Sequence, residues 1–427
     1  MDYILHFNEK PIEHLLSDIP KEIRLGKDLN LPLGLSELEL INFIKTFKNN
    51  NDYTKFLGAG IYSHFIPALV DSLANRSEFV TAYTPYQAEL SQGLLQSIFE
   101  YQTAIAHLTG MEVCNASLYD GATSLFEAVK LVSNATGRKK ILVSHLMHPE
   151  YLESLSISIK NFGIEVFYFN SKVDIERLLF QYSEEIAGIC ISNPNFYGEV
   201  EDLKYFSEMA HKVGALSVVS IYPISLGVLA KPGDLGVDVV IGEGQSLGMP
   251  VSLGGATLGL FATKKKFVRL MPGRVVGRTT DKAGNIGYVL TMQTREQHIR
   301  REKAYSNICS NHAHYALRAL IYLACMGDNG LKIVARRCMD NAYYLAGKLG
   351  QIDYFELPKQ SGFFNEFVIK LQSGLNFLEF DEYLRENGIV LGLKIENNSW
   401  LVAVTEVSTK AEIDRVIDVI NKYFRSL

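Results

Sequence analysis

From residue 140 onward, short apolar runs alternate with longer stretches in which apolar residues recur every three or four positions. The short runs predict buried strands, and the longer stretches predict amphipathic helices. This alternation is typical of an α/β fold, in which helices cover both faces of a mostly parallel sheet. The predicted strands are Ile141–Ser144, Glu165–Phe169, Ile186–Ile191, Leu216–Ile221, Asp238–Ile241 and Gly259–Ala262.

Two helices are predicted before the first of these strands. Apolar residues recur at helical spacing from Leu94 to Leu108, and Gly110 follows as a C-terminal signal. A second helix should begin at Asp120-Gly121-Ala122-Thr123 and end at Gly137. The free N–H groups at such a helix start suit a phosphate or a carboxylate. The alternative is ordinary capping by Asp120 or Thr123.

The two ends of the chain differ from this middle part. Residues 1–60 are polar and contain several prolines, so we predict an N-terminal arm, in which Ser36-Glu37-Leu38-Glu39 resembles a helix start. A long apolar helix is predicted from His312 towards Met326, and after about residue 353 short strands again alternate with helices. We therefore predict a large α/β domain at residues 61–340 and a small C-terminal α+β domain at residues 341–427.

Composition narrows the class of protein. The chain has 427 residues, of which 47% are hydrophobic and 21% charged, as in ordinary soluble globular proteins. The net charge of −5 gives no electrostatic reason to expect binding to nucleic acid or to an anionic membrane. The start of the chain does not resemble a secretory signal.

The cysteines and histidines do not predict a metal site or a disulfide framework. The five cysteines are scattered and form no CxxC pair, which favours a reducing cytoplasm. His145 and His148 follow the strand at Ile141–Ser144, but two histidines in a loop are weak grounds for a metal. We therefore expect no metal ion.

Two irregular stretches are candidates for function. Gly242-Glu243-Gly244-Gln245-Ser246-Leu247-Gly248 follows the strand at Asp238–Ile241, and loops at the carboxyl ends of such strands bind ligands. No lysine lies between Lys231 and Lys264, although many pyridoxal-phosphate enzymes of this architecture carry their Schiff-base lysine just after such a strand. The alternative for this stretch is a strand-to-helix turn without a ligand.

The second irregular stretch presents several side-chain donors together. In Tyr83-Thr84-Pro85-Tyr86-Gln87, the proline forces the preceding residue towards extended geometry, so a loop is predicted. The alternative is a surface turn whose tyrosines pack on the body of the protein. Residues 264–303 are strongly basic, and residues 293–301 are denser in donors than a surface requires.

Four of these stretches together resemble the glycine decarboxylase family, the P-proteins of the glycine cleavage system. The similarity is to subunit 1 of the two-subunit form, and it extends from about residue 2 to residue 424. The stretches are Tyr83-Thr84-Pro85-Tyr86-Gln87, Asn115-Ala116-Ser117-Leu118-Tyr119-Asp120-Gly121-Ala122-Thr123, Gly242-Glu243-Gly244-Gln245-Ser246-Leu247-Gly248 and Gln293-Thr294-Arg295-Glu296-Gln297-His298-Ile299-Arg300-Arg301.

The resemblance implies a fold and a reaction. The fold is the pyridoxal-phosphate type I fold, also called aspartate aminotransferase-like, with a seven-stranded sheet in the large domain. In the reaction, pyridoxal phosphate acts as an electron sink while glycine loses CO₂. The aminomethyl group that remains passes to the lipoyl arm of the carrier H-protein.

The resemblance also implies a division of labour between two subunits. The Schiff-base lysine belongs to subunit 2, and Ser246 stands where that lysine would align in this chain. The expected particle contains two copies of each subunit, with the active cavity at their interface. This chain would supply wall residues, for which the candidates are Tyr83, Thr84, Tyr86 and Gln87. Possible cofactor contacts are Gly121, Ala122, Thr123, Gln245 and Ser246.

One position departs from the family pattern. Tyr222 precedes Pro223-Ile224-Ser225-Leu226-Gly227, where related chains usually have an aspartate that holds the pyridine nitrogen in lysine-bearing relatives. This weakens the expectation that the chain binds its own cofactor. Two other functions stay open: a self-contained pyridoxal enzyme that uses another lysine, such as Lys231, and a non-catalytic scaffold or regulator on the same fold.

Overall fold

The computed structural model describes residues 16–27, 29–47, 53–304, 308–357, 362–396 and 398–426. By its internal contacts the chain forms two units, Met1–Asp52 and Tyr53–Leu427. The first unit contains helix α1 (Glu37–Thr46), and Ser36 and Glu39 form a reciprocal capping box at its start, as the sequence predicts. No residue of α1 is buried, and large apolar side chains of this helix are exposed, among them Leu38 and Ile44.

A central sheet dominates the second unit, and among the described residues it has seven strands in the order β2-β8-β7-β6-β5-β3-β4. Strands β3 to β7 run parallel, and at one edge β8 pairs antiparallel with β7 and β2 pairs antiparallel with β8. The strands are β2 (Val113–Cys114), β3 (Lys140–Ser144), β4 (Glu165–Phe169), β5 (Ile186–Asn193), β6 (Leu216–Ile221), β7 (Val239–Glu243) and β8 (Gly259–Thr263). The short two-residue strand β1 (Thr54–Lys55) pairs elsewhere, with a strand near the C-terminus.

Strands β3 to β8 form where the sequence predicts them, because most of their residues are apolar, whereas the sequence analysis did not predict β2. Every residue of β5, β6 and β7 is buried. Burying one Val, Leu or Ile side chain stabilises a fold by about 1.5–3 kcal/mol, so such runs are held in the interior on both faces of the sheet.

Helices cover the two faces of this sheet. They are α2 (Ala68–Ala74), α3 (Gln92–Thr109), α4 (Gly121–Thr136), α5 (Pro149–Ser158), α6 (Lys172–Tyr182) and α7 (Leu203–Lys212). Gly110 and Gly137 end α3 and α4 in the left-handed conformation, at φ of 72° and 70°, which confirms both predicted helix ends. Asp120 accepts a hydrogen bond from the Thr123 N–H at the start of α4.

An antiparallel hairpin and a short helix follow the sheet. Strands β9 (Val275–Thr280) and β10 (Ile286–Thr291) pair residue for residue, and α8 (Gln297–Arg300) comes soon after. The sequence analysis treats this region only as a basic section, so the hairpin is a feature that it missed.

The long helix α9 (Ala313–Leu349) crosses from the central sheet to the C-terminal part of the unit. Gly327 interrupts it with a non-helical conformation (φ 58°), near the point where the sequence pattern predicts a helix end. The predicted domain boundary at residue 340 falls inside α9. The division into domains at residues 60 and 340 stays a prediction.

A second sheet lies near the C-terminus, and in the described part of the chain it has the strand order β11-β12-β15-β14. Its helices pack against it around the buried Trp400 and Phe380. The elements are β11 (Phe355–Glu356), β12 (Glu366–Leu371), β13 (Ile389–Val390), β14 (Leu393–Ile395), β15 (Ser399–Ala403), α10 (Phe377–Glu386) and α11 (Lys410–Arg425). None of the described helices is both long enough and apolar enough to span a membrane.

Candidate functional site

A small cavity lies at the carboxyl ends of β5, β6 and β7, where open α/β sheets bind ligands. Its volume is about 60 Å³, whereas ordinary ligand pockets measure about 300–1,000 Å³. Its lining residues include Gly60, Tyr62, His148, Tyr151, Ser192, Asn195, Tyr222, Glu243 and Glu366. The cavity is therefore smaller than an ordinary ligand pocket, and large side chains such as Tyr62, Tyr151 and Tyr222 line it.

Glu243 occupies the position of an anion at the start of α4. One of its carboxylate oxygens accepts a hydrogen bond from the Gly121 N–H at 3.2 Å, and the other accepts from the N–H groups of Gln245 and Leu258, both at 2.9 Å. Burial raises the pKa of Glu243 to about 7, although these N–H groups act in the opposite direction. The sequence predicts an anion site at Gly121, Ala122 and Thr123. In the structure, the N–H groups of Gly121 and Thr123 bond to carboxylates of this chain, Glu243 and Asp120.

Tyr151 closes the space in front of this helix start. A Cβ atom added to Gly121 would overlap with the Tyr151 hydroxyl group. The Tyr151 ring stacks on His148, with ring centres 4.9 Å apart, and His148 in turn hydrogen-bonds to the Ala59 carbonyl oxygen at 2.9 Å. Tyr151 therefore packs directly against Gly121, the first residue of α4.

The loop after β7 is held by its own hydrogen bonds. The Gln245 side chain donates to the carbonyl oxygens of Tyr62 and Met249, and it accepts from the Tyr62 N–H at 3.0 Å. Ser246 is buried, and its hydroxyl group has no hydrogen-bond partner in the described residues. Gln245 has a structural role in the loop, and Ser246 lacks the nucleophilic amine that a Schiff base requires.

Tyr222 belongs to a chain of polar contacts. Its hydroxyl group hydrogen-bonds to His64 Nε2, and His64 Nδ1 lies 2.7 Å from a carboxylate oxygen of Glu406. Cys338 Sγ lies 3.3 Å from the same oxygen. Burial acts to raise the pKa of Glu406, but the hydrogen bond and charge of His64, together with backbone N–H groups such as that of Phe65, hold the pKa below its usual value.

These contacts explain the departure at position 222. A tyrosine hydroxyl group can bond an imidazole, but it cannot pair as a carboxylate with a protonated ring nitrogen. His64, Cys338 and Glu406 are also residue types that bind metals, and their ligand atoms lie within 4.8 Å of one another. Here those atoms bond to one another and to Tyr222, which accounts for the cluster without an ion.

A buried carboxyl group, Glu366, forms the other side of the cavity. It accepts hydrogen bonds from the Ala59 N–H and from the Tyr62 hydroxyl group, both at 2.7 Å. Complete burial raises the pKa of Glu366 to about 7. The chain approaches Glu366 so closely that a Cβ atom on Gly198 would overlap with the Glu366 carbonyl group.

Pyridoxal phosphate does not fit this cavity. The N–H group of Gly121 at the start of α4 is already bonded to Glu243, and Tyr151 packs against the same residue. Tyr222 stands where the aspartate is expected, and Ser246 stands where the lysine is expected. The residues that could have held the cofactor are therefore committed to the fold of this chain. Sequence reasoning found Ser246 and Tyr222, but it missed Glu243, Tyr151 and Glu366 as the groups that fill the site.

The loop at residues 83–87 lies elsewhere, on the surface of the second unit. It is irregular, as predicted from Pro85, which is itself buried. Tyr83 is 82% exposed and Tyr86 is 54% exposed. Thr84 is half-buried and Gln87 is exposed. Beside this loop lies a cavity of about 410 Å³, lined by residues that include Tyr83, Asn311, His312, His314 and Tyr315.

Arg274 joins this loop to two other stretches that carry the family resemblance. It donates to the Tyr86 hydroxyl group at 3.0 Å and to the Asn311 side-chain oxygen at 3.4 Å. Asn311 in turn donates to Ala116 and Ser117 in the stretch before α4. Glu296, from the donor-rich stretch at residues 293–301, lies 3.9 Å from Arg274. Sequence reasoning counted Arg274 only as part of a basic section.

Arg295 fixes the donor-rich stretch to the body of the protein. Its guanidinium group donates to the carbonyl oxygens of Met271, Met292 and Gly273. Desolvation by burial lowers the pKa of Arg295. The donors of this stretch therefore hold backbone together, and they bring Glu296 and His298 next to Tyr86.

Comparison with known proteins identifies the family. The sequence pattern of the family described as "Glycine cleavage system P-protein" matches residues 5–420. The chain belongs to the glycine cleavage system P-protein family. A curated relative in Desulfitobacterium hafniense, named "Probable glycine dehydrogenase (decarboxylating) subunit 1", is 46% identical over 419 residues, which cover 95% of this chain and 94% of the relative.

Solved structures agree with this assignment. A crystal structure of glycine decarboxylase (P-protein) of the glycine cleavage system, in inhibitor-bound form, is 39% identical and superposes with a TM-score of 0.88. The match covers 96% of this chain and 95% of that chain. Glutamate decarboxylase of Lactobacillus brevis matches with a TM-score of 0.68 at 12% identity, a likeness in fold alone. The predicted pyridoxal-phosphate type I fold and the resemblance to P-protein subunit 1 are confirmed.

Proposed function

We propose that this P-protein acts as subunit 1 of a glycine dehydrogenase (decarboxylating) in the glycine cleavage system. Relatives over nearly the whole length carry this name, and a P-protein has the same fold. The observation that carries the proposal is the loop after β7, where Ser246 stands in place of the lysine and Glu243 bonds to the start of α4. Such a chain needs a lysine-bearing partner to do the chemistry of its family.

The proposed partner is subunit 2, which holds pyridoxal phosphate covalently. When bound there, the cofactor supplies an electron sink for the decarboxylation of glycine. The lipoyl group of the H-protein is the proposed acceptor of the aminomethyl group. We place the complex in the cytoplasm, in line with five free cysteines.

The proposed assembly contains two copies of each subunit. The first unit favours association with another protein chain, because α1 has no buried residue and large apolar side chains along it are exposed. Exposed apolar surfaces larger than a few hundred Å² usually mark sites of association. The role we propose for this unit is contact with another subunit, which would cover side chains such as Leu38, Phe43 and Phe47.

We assign the wall of the shared active cavity to the loop at residues 83–87. Tyr83, Thr84, Tyr86 and Gln87 supply hydroxyl and amide groups from an irregular loop on a rigid body, and loops of this kind commonly carry function. Exposure of Tyr83 and Tyr86 leaves them free to face a second chain.

The alternative that uses Lys231 is not favoured by its surroundings. The Lys231 amine donates to the His107 carbonyl oxygen at 2.8 Å. Lys231 lines a different cavity, together with Leu226 and Leu331, and not the one at the ends of β5 to β7. It therefore lacks the strand-end position that cofactor chemistry on this fold requires.

The decisive assay for the function is glycine–bicarbonate exchange. We expect this chain alone to be inactive, and we expect exchange when it is co-expressed with the lysine-bearing homologue. Exchange by the homologue alone at the same rate would favour the scaffold or regulator function. Exchange by this chain alone would show that it is a self-contained enzyme.

A further inference from the structure

Tyr86 is the position in the proposed wall where a hydroxyl group has a fixed neighbour. Arg274 Nη2 donates to its oxygen at 3.0 Å, and the guanidinium carbon lies 5.5 Å from the centre of the Tyr86 ring. The Arg274 side chain is only 6% exposed, so the donor cannot swing away into solvent. No such hydrogen bond orients the Tyr83 side chain within the described residues.

The chemistry of Arg274 and Tyr86 fixes which of the two donates the hydrogen bond and which accepts it. An arginine side chain can only donate hydrogen bonds, so the Tyr86 oxygen must be the acceptor. The hydrogen of the Tyr86 hydroxyl group then remains to be donated, and the described part of the chain contains no acceptor bonded to it. Because Tyr86 is half exposed, that hydrogen is available to a group outside this chain.

The charges around Tyr86 favour an acceptor that is negative. Arg274 places a buried positive charge behind the hydroxyl group. Glu296 compensates it only at 3.9 Å, and Arg274 Nε has no hydrogen-bond partner among the described residues. The His298 ring lies beside the same ring, with ring centres 6.0 Å apart, and its Nδ1 lies 3.5 Å from a carboxylate oxygen of Glu296. Charge-assisted hydrogen bonds are about twice as strong as neutral ones, so an anionic oxygen gains most at this position.

We propose that Tyr86, positioned by Arg274, donates a hydrogen bond to an anionic oxygen bound in the active cavity of the partner subunit. The anion is either the carboxylate of the substrate or the phosphate of the cofactor. This inference rests on the proposed function. The Tyr86 ring and Asn311 separate Arg274 from the surface. Arg274 is therefore a positioning residue, which acts on the ligand through the Tyr86 hydroxyl group.

The test uses the co-assembled enzyme with Tyr86→Phe, which removes the hydroxyl group and keeps the ring. One arm titrates pyridoxal phosphate into the apoenzyme and follows its visible absorbance. The other arm titrates glycine at saturating cofactor and follows the change in that absorbance. We expect about tenfold or greater weakening in one arm, which is the loss expected for a hydrogen bond to a charged group.

The arm that weakens identifies the anion: cofactor affinity points to the phosphate, and glycine affinity points to the carboxylate. Tyr354→Phe, a partly exposed tyrosine stacked on Phe424, is the matched control and should change neither. Unchanged affinity in both arms of Tyr86→Phe would overturn the proposal.

The positioning role of Arg274 is tested by a double-mutant cycle. Arg274→Lys should weaken the same affinity in the wild-type background and have little further effect in Tyr86→Phe. An equal loss in both backgrounds would assign Arg274 to the general stability of the fold. Both arms measure binding, so an assembled enzyme that binds ligand but does not exchange glycine would count only against the proposed function. An assembly that binds no cofactor would count against both.

Discussion

Replacing Glu366 with glutamine should change how the stability of this chain depends on pH. In the folded protein burial raises the pKa of Glu366 from 4.5 to about 7. The folded state therefore binds more protons than the unfolded state between these two values. The stabilisation from the neutral carboxyl group is complete below pH 4.5 and is lost as the pH rises through about 7.

The magnitude follows from the same two pKa values. The gap between them corresponds to about 3 kcal/mol, and most of this is lost between pH 5 and pH 8. Glutamine stays neutral at both pH values. It can accept from the Ala59 N–H and donate to the Tyr62 oxygen, so both contacts of Glu366 have a counterpart. Burial also raises the pKa of Glu243 to about 7, and Glu243 makes the same contribution to the pH dependence of stability in the variant as in the wild type.

The assay is urea unfolding of the isolated chain at pH 5 and pH 8, with the wild type and the variant measured in parallel. We expect the free energy of unfolding of the variant to rise by about 2–3 kcal/mol relative to that of the wild type on going from pH 5 to pH 8. Glu208→Gln, an exposed position on α7, should follow the wild type at both values. Equal pH dependence of Glu366→Gln and the wild type would refute the reasoning, because it would mean that Glu366 stays ionised in the fold.

Three further predictions follow from the structure. Tyr83→Phe should lower turnover of the assembled enzyme by about one to two orders of magnitude with little change in its thermal midpoint. An unchanged rate at matched cofactor occupancy would show that the Tyr83 ring only packs against its surroundings. Gly198→Ala should lower the thermal midpoint more than Gly163→Ala, because both have positive φ but only Gly198 touches backbone, at Glu366; equal effects would rule out the close approach. Light scattering on the co-expressed subunits should give two copies of each, and separate monomers would contradict the proposed assembly.

The parts of the fold that the sequence predicted well are those with a strong local signal. Strands β4 and β6 begin and end at the predicted residues, because each is an apolar run bounded by polar or turn residues. The C-terminal ends of α3 and α4 were predicted from glycine alone, since few other residues adopt the left-handed conformation at low cost.

The features that the sequence analysis missed involve weaker or more distant signals. The hairpin of β9 and β10 turns at Asp281, Lys282, Ala283 and Gly284, a turn signal that the surrounding positive charges obscured. The apolar pattern predicts a helix only from His312 towards Met326, but α9 continues to Leu349 because its second half packs into the core. Tertiary packing outweighed local propensity there.

In the candidate sites too, the sequence predicts residues within recognisable stretches but not contacts between distant stretches. Ser246 and the loop at residues 83–87 could be found because they lie within recognisable stretches. Glu243 meets the start of α4 across 122 residues of sequence, and Arg274 meets Tyr86 across 188. No periodicity links such pairs, so only the folded chain brings them together.

The central claim is that this chain completes an active cavity whose cofactor is bound to another chain. The most direct test is to treat the assembled, cofactor-loaded enzyme with borohydride, which reduces the link between cofactor and lysine to a permanent bond. Mass spectrometry of the separated subunits then locates the label. The account predicts a pyridoxyl adduct on the lysine-bearing partner and none on this chain. A stoichiometric adduct on any lysine of this chain, such as Lys231, would contradict it.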